Sequence, residues 1–598
     1  MEDRNEMKNA KLRVWPGIAA GVLIVIGLGA GLLLNLTLPD AATLGMVSAM
    51  TGALAVLVWW LFFSRARWGE RLGALAVLIA AWFAMRPLLD KSILGGGMGA
   101  LPFFGFTLLA VALVVWASVT RNLSDGIRRV SMVVAILVAA GLCTLVKTSG
   151  IRGGFFEFQW RWTPTPEELL LEDGDEDPAP VPLLPEASPG APAARANTDA
   201  VAVLPVPTAP RKPAEWPGFR GPHRDGIVHN VRIETDWSRF PPMELWRQPI
   251  GPGWSSFAVD GDVFYTQEQR GNDEIVASYS LATGKPVWRH RDAVRFYESN
   301  AGAGPRGTPE LRGGSVYAFG ATGILNVLDA GSGSVIWSRN VSDDSGVPVP
   351  MWGFSSSPLL IGDIVVVAAE GKLAAYDSAT GKPRWSGPAG GFSYSSPHLI
   401  TVDGIPQILQ LRGNGATSFA PADGVVLWQH EFSGGAIVQP ALTPDGNILI
   451  HSIGVTGGQG IRRLAIAQQP GGWTVEERWT STGLKPYFND FVIHNGHAFG
   501  FDGSILSCID LADGRRIWKG GRYGGGQLVL LADQDSLLVL SDEGELALVS
   551  ATPDAFKEVA RFKAIEGKTW NHPVLVRDTL LVRNGEEMAA FRLTPARQ

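Results

Sequence analysis

Apolar residues are distributed very unevenly along this chain. Before residue 150 they form five almost unbroken stretches, at 14–38, 41–63, 72–89, 100–119 and 130–146. Each is close to the ~20 residues that cross a bilayer as a helix with every backbone group paired inside the segment. Beyond residue 216 the pattern changes. Short β-rich runs alternate with Gly, Asp and Asn turns, and helical periodicity is nearly absent. Between the two, residues 162–215 show no apolar periodicity. They are rich in Pro and Ala and carry an acidic run from Glu167 to Asp177, the composition of a solvated, partly extended tether. The pattern therefore predicts a tail at 1–13, five transmembrane helices within 14–149, a linker over 150–215 and an all-β domain over 216–598.

The loops orient the helices. Arg4, Lys8, Lys11 and Arg13 precede the first span, and the loop after it has no Lys or Arg. Arg65, Arg67 and Arg71 follow the second span, only Arg86 and Lys91 the third, and Arg121, Arg128 and Arg129 the fourth. Positive charge alternates from loop to loop, which predicts a cytoplasmic N-terminus. Five spans then place the β domain on the extracytoplasmic side of an inner membrane. No ionisable residue falls near the middle of a span, so the helices read as an anchor rather than as a proton or ion pathway. Gly17/Gly21 and Gly27/Gly31 have the spacing that lets helices approach closely.

Composition removes several functional classes. The 598 residues carry a net charge of −6, so no basic field for nucleic acid exists. Two cysteines exclude a disulfide scaffold, a Cys-ligated zinc site and an iron–sulfur protein. His494-Asn-Gly-His497 reads as a hairpin turn flanked by histidines rather than a metal pair. Gly520 to Gly526 is glycine-rich but opens no helix, and so is not a phosphate loop.

One element recurs in the second half. It appears as Ser280-Leu-Ala-Thr-Gly284-Lys-Pro-Val-Trp288, Asp329-Ala-Gly-Ser-Gly333-Ser-Val-Ile-Trp337, Asp377-Ser-Ala-Thr-Gly381-Lys-Pro-Arg-Trp385, Ala420-Pro-Ala-Asp-Gly424-Val-Val-Leu-Trp428 and Asp510-Leu-Ala-Asp-Gly514-Arg-Arg-Ile-Trp518. Asp and Thr hold the turn backbone, Gly accepts φ > 0, and the Trp lands on the returning strand. Trp246, Trp479 and Phe562 extend the series, with spacings of 42, 49, 48, 43, 51, 39 and 44 residues from Trp246 to Phe562. A four-stranded propeller blade needs about that length. Eight such positions predict an eight-bladed β-propeller, with seven blades as the alternative. The last segment supplies three strands only, so the strand near Trp246 is expected to complete it and close the ring.

The turn-and-Trp repeat resembles the tryptophan-docking repeat of the pyrroloquinoline-quinone (PQQ) propeller superfamily over residues 216–598. Trp216-Pro-Gly-Phe-Arg-Gly-Pro222, Gly304-Pro-Arg-Gly-Thr-Pro309 and Lys568-Thr-Trp-Asn-His-Pro573 are similar to segments of bacterial PQQ-like repeat proteins. The resemblance implies structural docking roles for Trp246, Trp288, Trp337, Trp385, Trp428, Trp479 and Trp518. It also implies one of two functions. One is a quinoprotein dehydrogenase with PQQ and Ca²⁺ in the central funnel, oxidising an alcohol or sugar and passing electrons to membrane quinone. The other is a non-catalytic propeller, such as the lipoprotein of the outer-membrane β-barrel assembly machinery, with an extracytoplasmic protein or a small molecule as ligand.

A quinoprotein site needs a base, oxygen ligands for calcium and a stacking surface. The segments before each blade's first strand offer candidates: Trp254, Arg306, Trp352, Tyr394, His398, Gln439, Asn489, Trp570, Asn571 and His572, with Asp490 as the candidate base. They recur at one phase of the repeat, which is also what strand-capping residues would do. Asp490 is the only carboxylate among them, and no adjacent Cys pair exists. The binding-module reading is therefore preferred, with no metal assigned.

Overall fold

The computed structural model describes residues 12–34, 41–94, 100–152, 155–172, 213–454 and 457–596. Residues 1–11, in the expected tail, and 173–212, most of the expected linker, lie outside them. The chain divides into two compact units, one of residues 1–169 with 297–303 and the other of residues 170–296 with 304–598.

The first unit contains five helices long and apolar enough to cross a membrane. These are α1 (Trp15–Leu34), α2 (Ala41–Val58), α3 (Trp68–Met85), the short α4 (Lys91–Leu94) excepted, α5 (Ala100–Val119) and α6 (Asp125–Cys143). The chain after α2 continues as a π-helical turn, Trp59–Phe63. Glycines set the α1–α2 packing. A Cβ on Gly31 would stand 2.9 Å from the Cα of Gly45, and one on Gly17 would enter the Trp59 ring. The ends of α3 and α6 are tied by charge. Glu70, buried, pairs with Arg128 at 2.8 Å and Arg129 at 3.2 Å, and Arg67 pairs with Asp125 at 3.0 Å. This explains why α6 starts at Asp125, five residues before its apolar run: the charged first turn has partners.

Past α6 the chain forms a hairpin, β1 (Val146–Arg152) with β2 (Phe155–Trp160), and then α7 (Pro166–Glu172). The first strand begins within the expected membrane region, and the rest of the hairpin and α7 fall in the stretch expected to be linker. The helix has a local cause, a capping box in which Thr165 and Glu168 exchange side-chain and backbone hydrogen bonds at 2.6 and 3.1 Å.

The second unit is an eight-bladed β-propeller. Seven blades take their four strands in order from one stretch of chain, beginning at Ala258, Glu310, Leu359, His398, Ala441, Val492 and Gln527. The seventh gains a short strand, Ile227–Val228, parallel to Gln527–Leu531. The eighth has three strands from residues 574–592 and takes its fourth, Met243–Pro249, from the start of the domain, with Ala590 opposite Trp246. The ring therefore closes as the repeat predicts.

An outer ring of tryptophans joins the blades. Trp246 of blade eight lies over Gly284 of blade one, and its indole donates to Leu281 O at 2.8 Å. Trp288, Trp337 and Trp385 repeat this on Gly333, Gly381 and Gly424, donating to Ala330, Ser378 and Pro421 carbonyls at 2.9–3.0 Å. Trp479 docks on Gly514, and Trp518 donates to Thr552 O at 2.8 Å. A side chain at these glycines would collide with the indole, and their φ values of 68–73° are left-handed. Trp428 departs from the rule. Blade five has long third and fourth strands, Gly457–Gln469 and Gly472–Ser481, so its turn lies far from the common position. The Trp428 indole turns to Gln407 Oε1 of its own blade at 2.7 Å instead.

Candidate functional site

The antiparallel order puts the start of every inner strand at one end of the central channel. Two residues before the first strand of blades one to six and eight stand Ser256, Thr308, Ser357, Ser396, Gln439, Asp490 and His572. They form a continuous inner ring. The backbone N–H of Ser256 donates to Thr308 Oγ1 (3.0 Å), that of Thr308 to Ser357 Oγ (3.0 Å) and that of Ser357 to Ser396 Oγ (2.9 Å). With the Gln439 amide oriented to satisfy its neighbours, its oxygen accepts from Ser396 N at 3.0 Å and its nitrogen donates to Ser396 O at 2.8 Å. Gln439 N then donates to Asp490 Oδ1 (3.2 Å) and Asp490 N to Gln527 Oε1 (3.3 Å). Gln527 Nε2 reaches Trp570 O at 3.2 Å, and Ser256 Oγ closes the circle on His572 O at 2.7 Å. Each blade thus hands a hydrogen bond to the next.

Asp490 does more than its ring bond requires. Its Oδ2 meets His572 Nε2 at 2.8 Å and Arg220 Nε at 3.6 Å. Burial would raise its pKa, but Arg220 and His572 outweigh that and hold it at about 2. Arg220 belongs to the segment that leads into the propeller. That segment pairs Trp216 with Val259 of blade one, passes Pro217 O to Leu311 N of blade two and ends in the Ile227–Val228 strand on blade seven. Arg220 and Arg224 are both left-handed (φ 63° and 56°) and both buried. Arg220 donates to Phe491 O at 2.8 Å. Arg224 donates to Pro358 O at 2.7 Å and Ser357 O at 3.1 Å, and faces Glu310 at 3.6 Å. The two arginines bridge inner-strand starts of blades two, three and six. Sequence inspection missed Arg224 and Glu310. The signal was present as two arginines spaced by four in a Gly/Pro segment with no strand pattern.

The other candidates separate into three groups. Asn489 and Asn571 are internal braces: Asn489 Oδ1 accepts from Tyr487 N at 3.1 Å, and Asn571 donates to Gly253 and Ser255 carbonyls at 3.3 and 2.8 Å. His398 is buried next to the arginine pair. Burial, then Arg224 and Arg220, push its pKa down to about 3, so it is neutral. The aromatic candidates form two clusters in the blade-to-blade connections, with Trp254, Trp352 and Trp570 partly exposed and Tyr394 buried. Trp254 lies 4.9 Å from Trp570, which also meets Phe488, and the Lys568 ammonium sits over both indoles. Trp352 lies 5.0 Å from Tyr394, and both pack on the exposed Phe392. Arg306 joins the second cluster, donating to Trp352 O at 3.2 Å and lying over Phe296.

The ring tests the calcium–quinone reading directly. Both oxygens of its one carboxylate are engaged, by Gln439 N on one side and by His572 and the Arg220 guanidinium on the other. A divalent cation would share that carboxylate with a buried positive charge. Asn489 caps a turn, and Asn571 Nδ2 donates to two carbonyls while its buried Oδ1 has no hydrogen-bond partner among the described residues. These residues do not fit a calcium site, and among the described residues no group of three His, Cys, Asp or Glu side chains could hold a metal. His494 and His497 flank a turn at Asn495 and Gly496, both left-handed, as the sequence predicts.

The fold and its inner and outer rings define a PQQ-like repeat propeller. Residues 237–351 and 347–552 match the PQQ_2 family described as "Outer membrane protein assembly factor BamB", and the chain belongs to that family. Among curated proteins, the outer membrane protein assembly factor BamB of Yersinia pestis is 22% identical over 52% of this chain and 71% of its own length. That of Burkholderia pseudomallei is 24% identical over 59% and 89%. The dehydrogenase subunit of a quinone alcohol dehydrogenase from Gluconobacter oxydans is 28% identical, over 32% of this chain and 27% of its own. A solved BamB from Moraxella catarrhalis is 12% identical with a TM-score of 0.41, covering 59% of this chain and 99% of that one.

Proposed function

We propose that this protein is a membrane-anchored propeller that binds a protein partner on the extracytoplasmic side and carries out no redox chemistry there. The observation that supports this reading is the division of labour around the channel. The candidate base Asp490 is engaged by Gln439, His572 and Arg220 in the closed inner ring, while the connections above present Trp254, Trp570, Trp352 and Phe392. Aromatic side chains beside an Arg are the composition enriched where proteins recognise proteins. Membership of a family described by an assembly factor supports a protein as partner, and the alternation of Lys and Arg between the loops supports the cytoplasmic N-terminus.

The test uses the full-length protein in its native membrane. A photo-crosslinking residue at Phe392 or Trp254 is expected to capture a discrete protein, and one at an exposed position on the opposite face, such as Val425, is not. Titration of the purified full-length chain with PQQ and Ca²⁺ is expected to leave its melting temperature unchanged. Calcium-dependent stabilisation by PQQ, with reduction of an artificial acceptor by an alcohol or sugar, would overturn the reading.

A further inference from the structure

Three successive loops on the face where the inner strands begin leave a groove of about 480 Å³ between blades three, four and five. Five glycines line it, together with Phe392, Ala389 and the exposed Asn414, and its lining carries no acidic side chain. The N–H groups of Gly390, Gly391 and Gly434 have no acceptor among the described residues. Backbone donors left open by glycines in adjacent loops make a concavity suited to anions.

A positive charge lies directly behind this floor. Arg412 is 2% exposed. Its Nη2 donates to the carbonyls of Pro388, at 3.2 Å, and Ala389, and its Nη1 donates to Thr417 Oγ1 at 3.2 Å. Its Nε has no acceptor among the described residues and occupies the place a Cβ on Gly390 would take. Three other buried arginines of the propeller are ion-paired, while Arg583, also buried, donates to Thr266 Oγ1 and the Gln267 and Gly251 carbonyls with Glu268 as a nearby opposing charge. Arg220 faces Asp490 at 3.6 Å, Arg224 faces Glu310 at 3.6 Å and Arg270 faces Glu268 at 3.1 Å. Arg412 has no carboxylate within ion-pair distance among the described residues, and burial lowers its pKa. Glu370, on a neighbouring turn, lines a different cleft, and its carboxyl responds to burial alone. A buried guanidinium without a counter-charge is costly unless an anion completes it.

We propose that the glycine-lined groove binds a small oxyanion, the carboxylate or phosphate of a small solute, with Arg412 as its buried counter-charge and the Gly390, Gly391 and Gly434 amides and Asn414 as its donors. The size suits a metabolite rather than a single ion. Nothing here depends on a protein partner at the aromatic clusters, so either assignment can fail without the other.

The test is thermal melting and calorimetry of the full-length protein with sodium phosphate or sodium acetate, against sodium chloride at constant ionic strength. A saturable rise in melting temperature with phosphate or acetate, absent with chloride, is expected. Preference for phosphate identifies a phosphorylated solute, and preference for acetate an organic acid. Asn414→Asp places a negative charge in the groove without touching the core and is expected to weaken binding by about tenfold or more. Arg412→Gln is expected to abolish it; should that variant not fold, Asn414→Asp decides. No saturable difference from chloride up to about 50 mM, or equal binding by Asn414→Asp, overturns the proposal.

Discussion

The inner and outer rings of the propeller solve the same problem with different chemistry. Both join neighbouring blades around the axis. The outer joint is in five places an indole lying on a glycine turn that has no Cβ, and Trp518 makes the same carbonyl bond over a turn without glycine. The inner joint needs an acceptor at a fixed height, and Ser, Thr, Gln and Asp all serve. A joint made by shape is therefore written in residue identity, whereas one made by a hydrogen bond is written only in chemical class. The blade four to five junction shows the limit of the first kind. Once the blade five turn moves outward, Trp428 has no glycine to cover and satisfies its N–H within its own blade.

The largest effect is expected where the inner ring carries charge. Asp490→Leu leaves Arg220 buried without its partner and removes the acceptor of Gln439 N. It should destabilise by about 3–5 kcal/mol in chemical denaturation of the full-length protein. Asp490→Asn keeps the acceptor and should lose clearly less; equal losses would mean that the charge contributes nothing.

Next comes the outer ring. Gly381→Ala puts a Cβ 2.7 Å from the Trp337 ring at a left-handed φ and should cost about 2–3 kcal/mol. Gly471→Ala, in the displaced blade five turn with nothing within 4 Å, should stay within about 0.5 kcal/mol. A similar cost at both would show that the docking contact is not what glycine serves.

Acid titration separates the rings further. The Asp490 carboxyl is held at about 2 against an ordinary 3.8, so its contribution of about 2 kcal/mol is present above pH 4 and is lost as pH falls toward 2. Glu274 and Glu310 run the other way. Burial lifts both to about 7 from 4.5, against hydrogen bonds from Thr322 and Ala321 in one case and the charge of Arg224 in the other. Their stabilisation is complete below pH 4.5 and is lost as pH rises through 7. Glu274→Gln should flatten the slope between pH 5 and 8 in melting temperature. Smallest is Ser396→Ala, which removes one ring hydrogen bond and should cost about 1 kcal/mol.

Much of this was legible from the chain. Five apolar stretches become helices because a span must pair its own backbone, and the Trp series fixes eight blades because each needs one docking ring per four strands. The charges at Asp125 and Arg128 hide the first turn of α6, whose partners, Arg67 and Glu70, lie at the start of α3. The phase of Gln439, Asp490 and His572 was also visible, since all stand at the same offset before an inner strand.

Their role was not. Whether a polar residue above a channel is free for chemistry depends on what reaches it from elsewhere in the chain. Arg220 meets Asp490 across 270 residues of sequence, and His572 meets it across 82. The buried charge of Arg412 is likewise ordinary as a letter in a strand and stands out only because, among the described residues, no carboxylate lies within ion-pair distance of it. Sequence determined the spans, the blade count and the closure, which follow from local periodicity and repeat. Tertiary structure alone decided which polar groups are spent on one another and which surfaces are left open, because that depends on contacts between residues far apart in the chain.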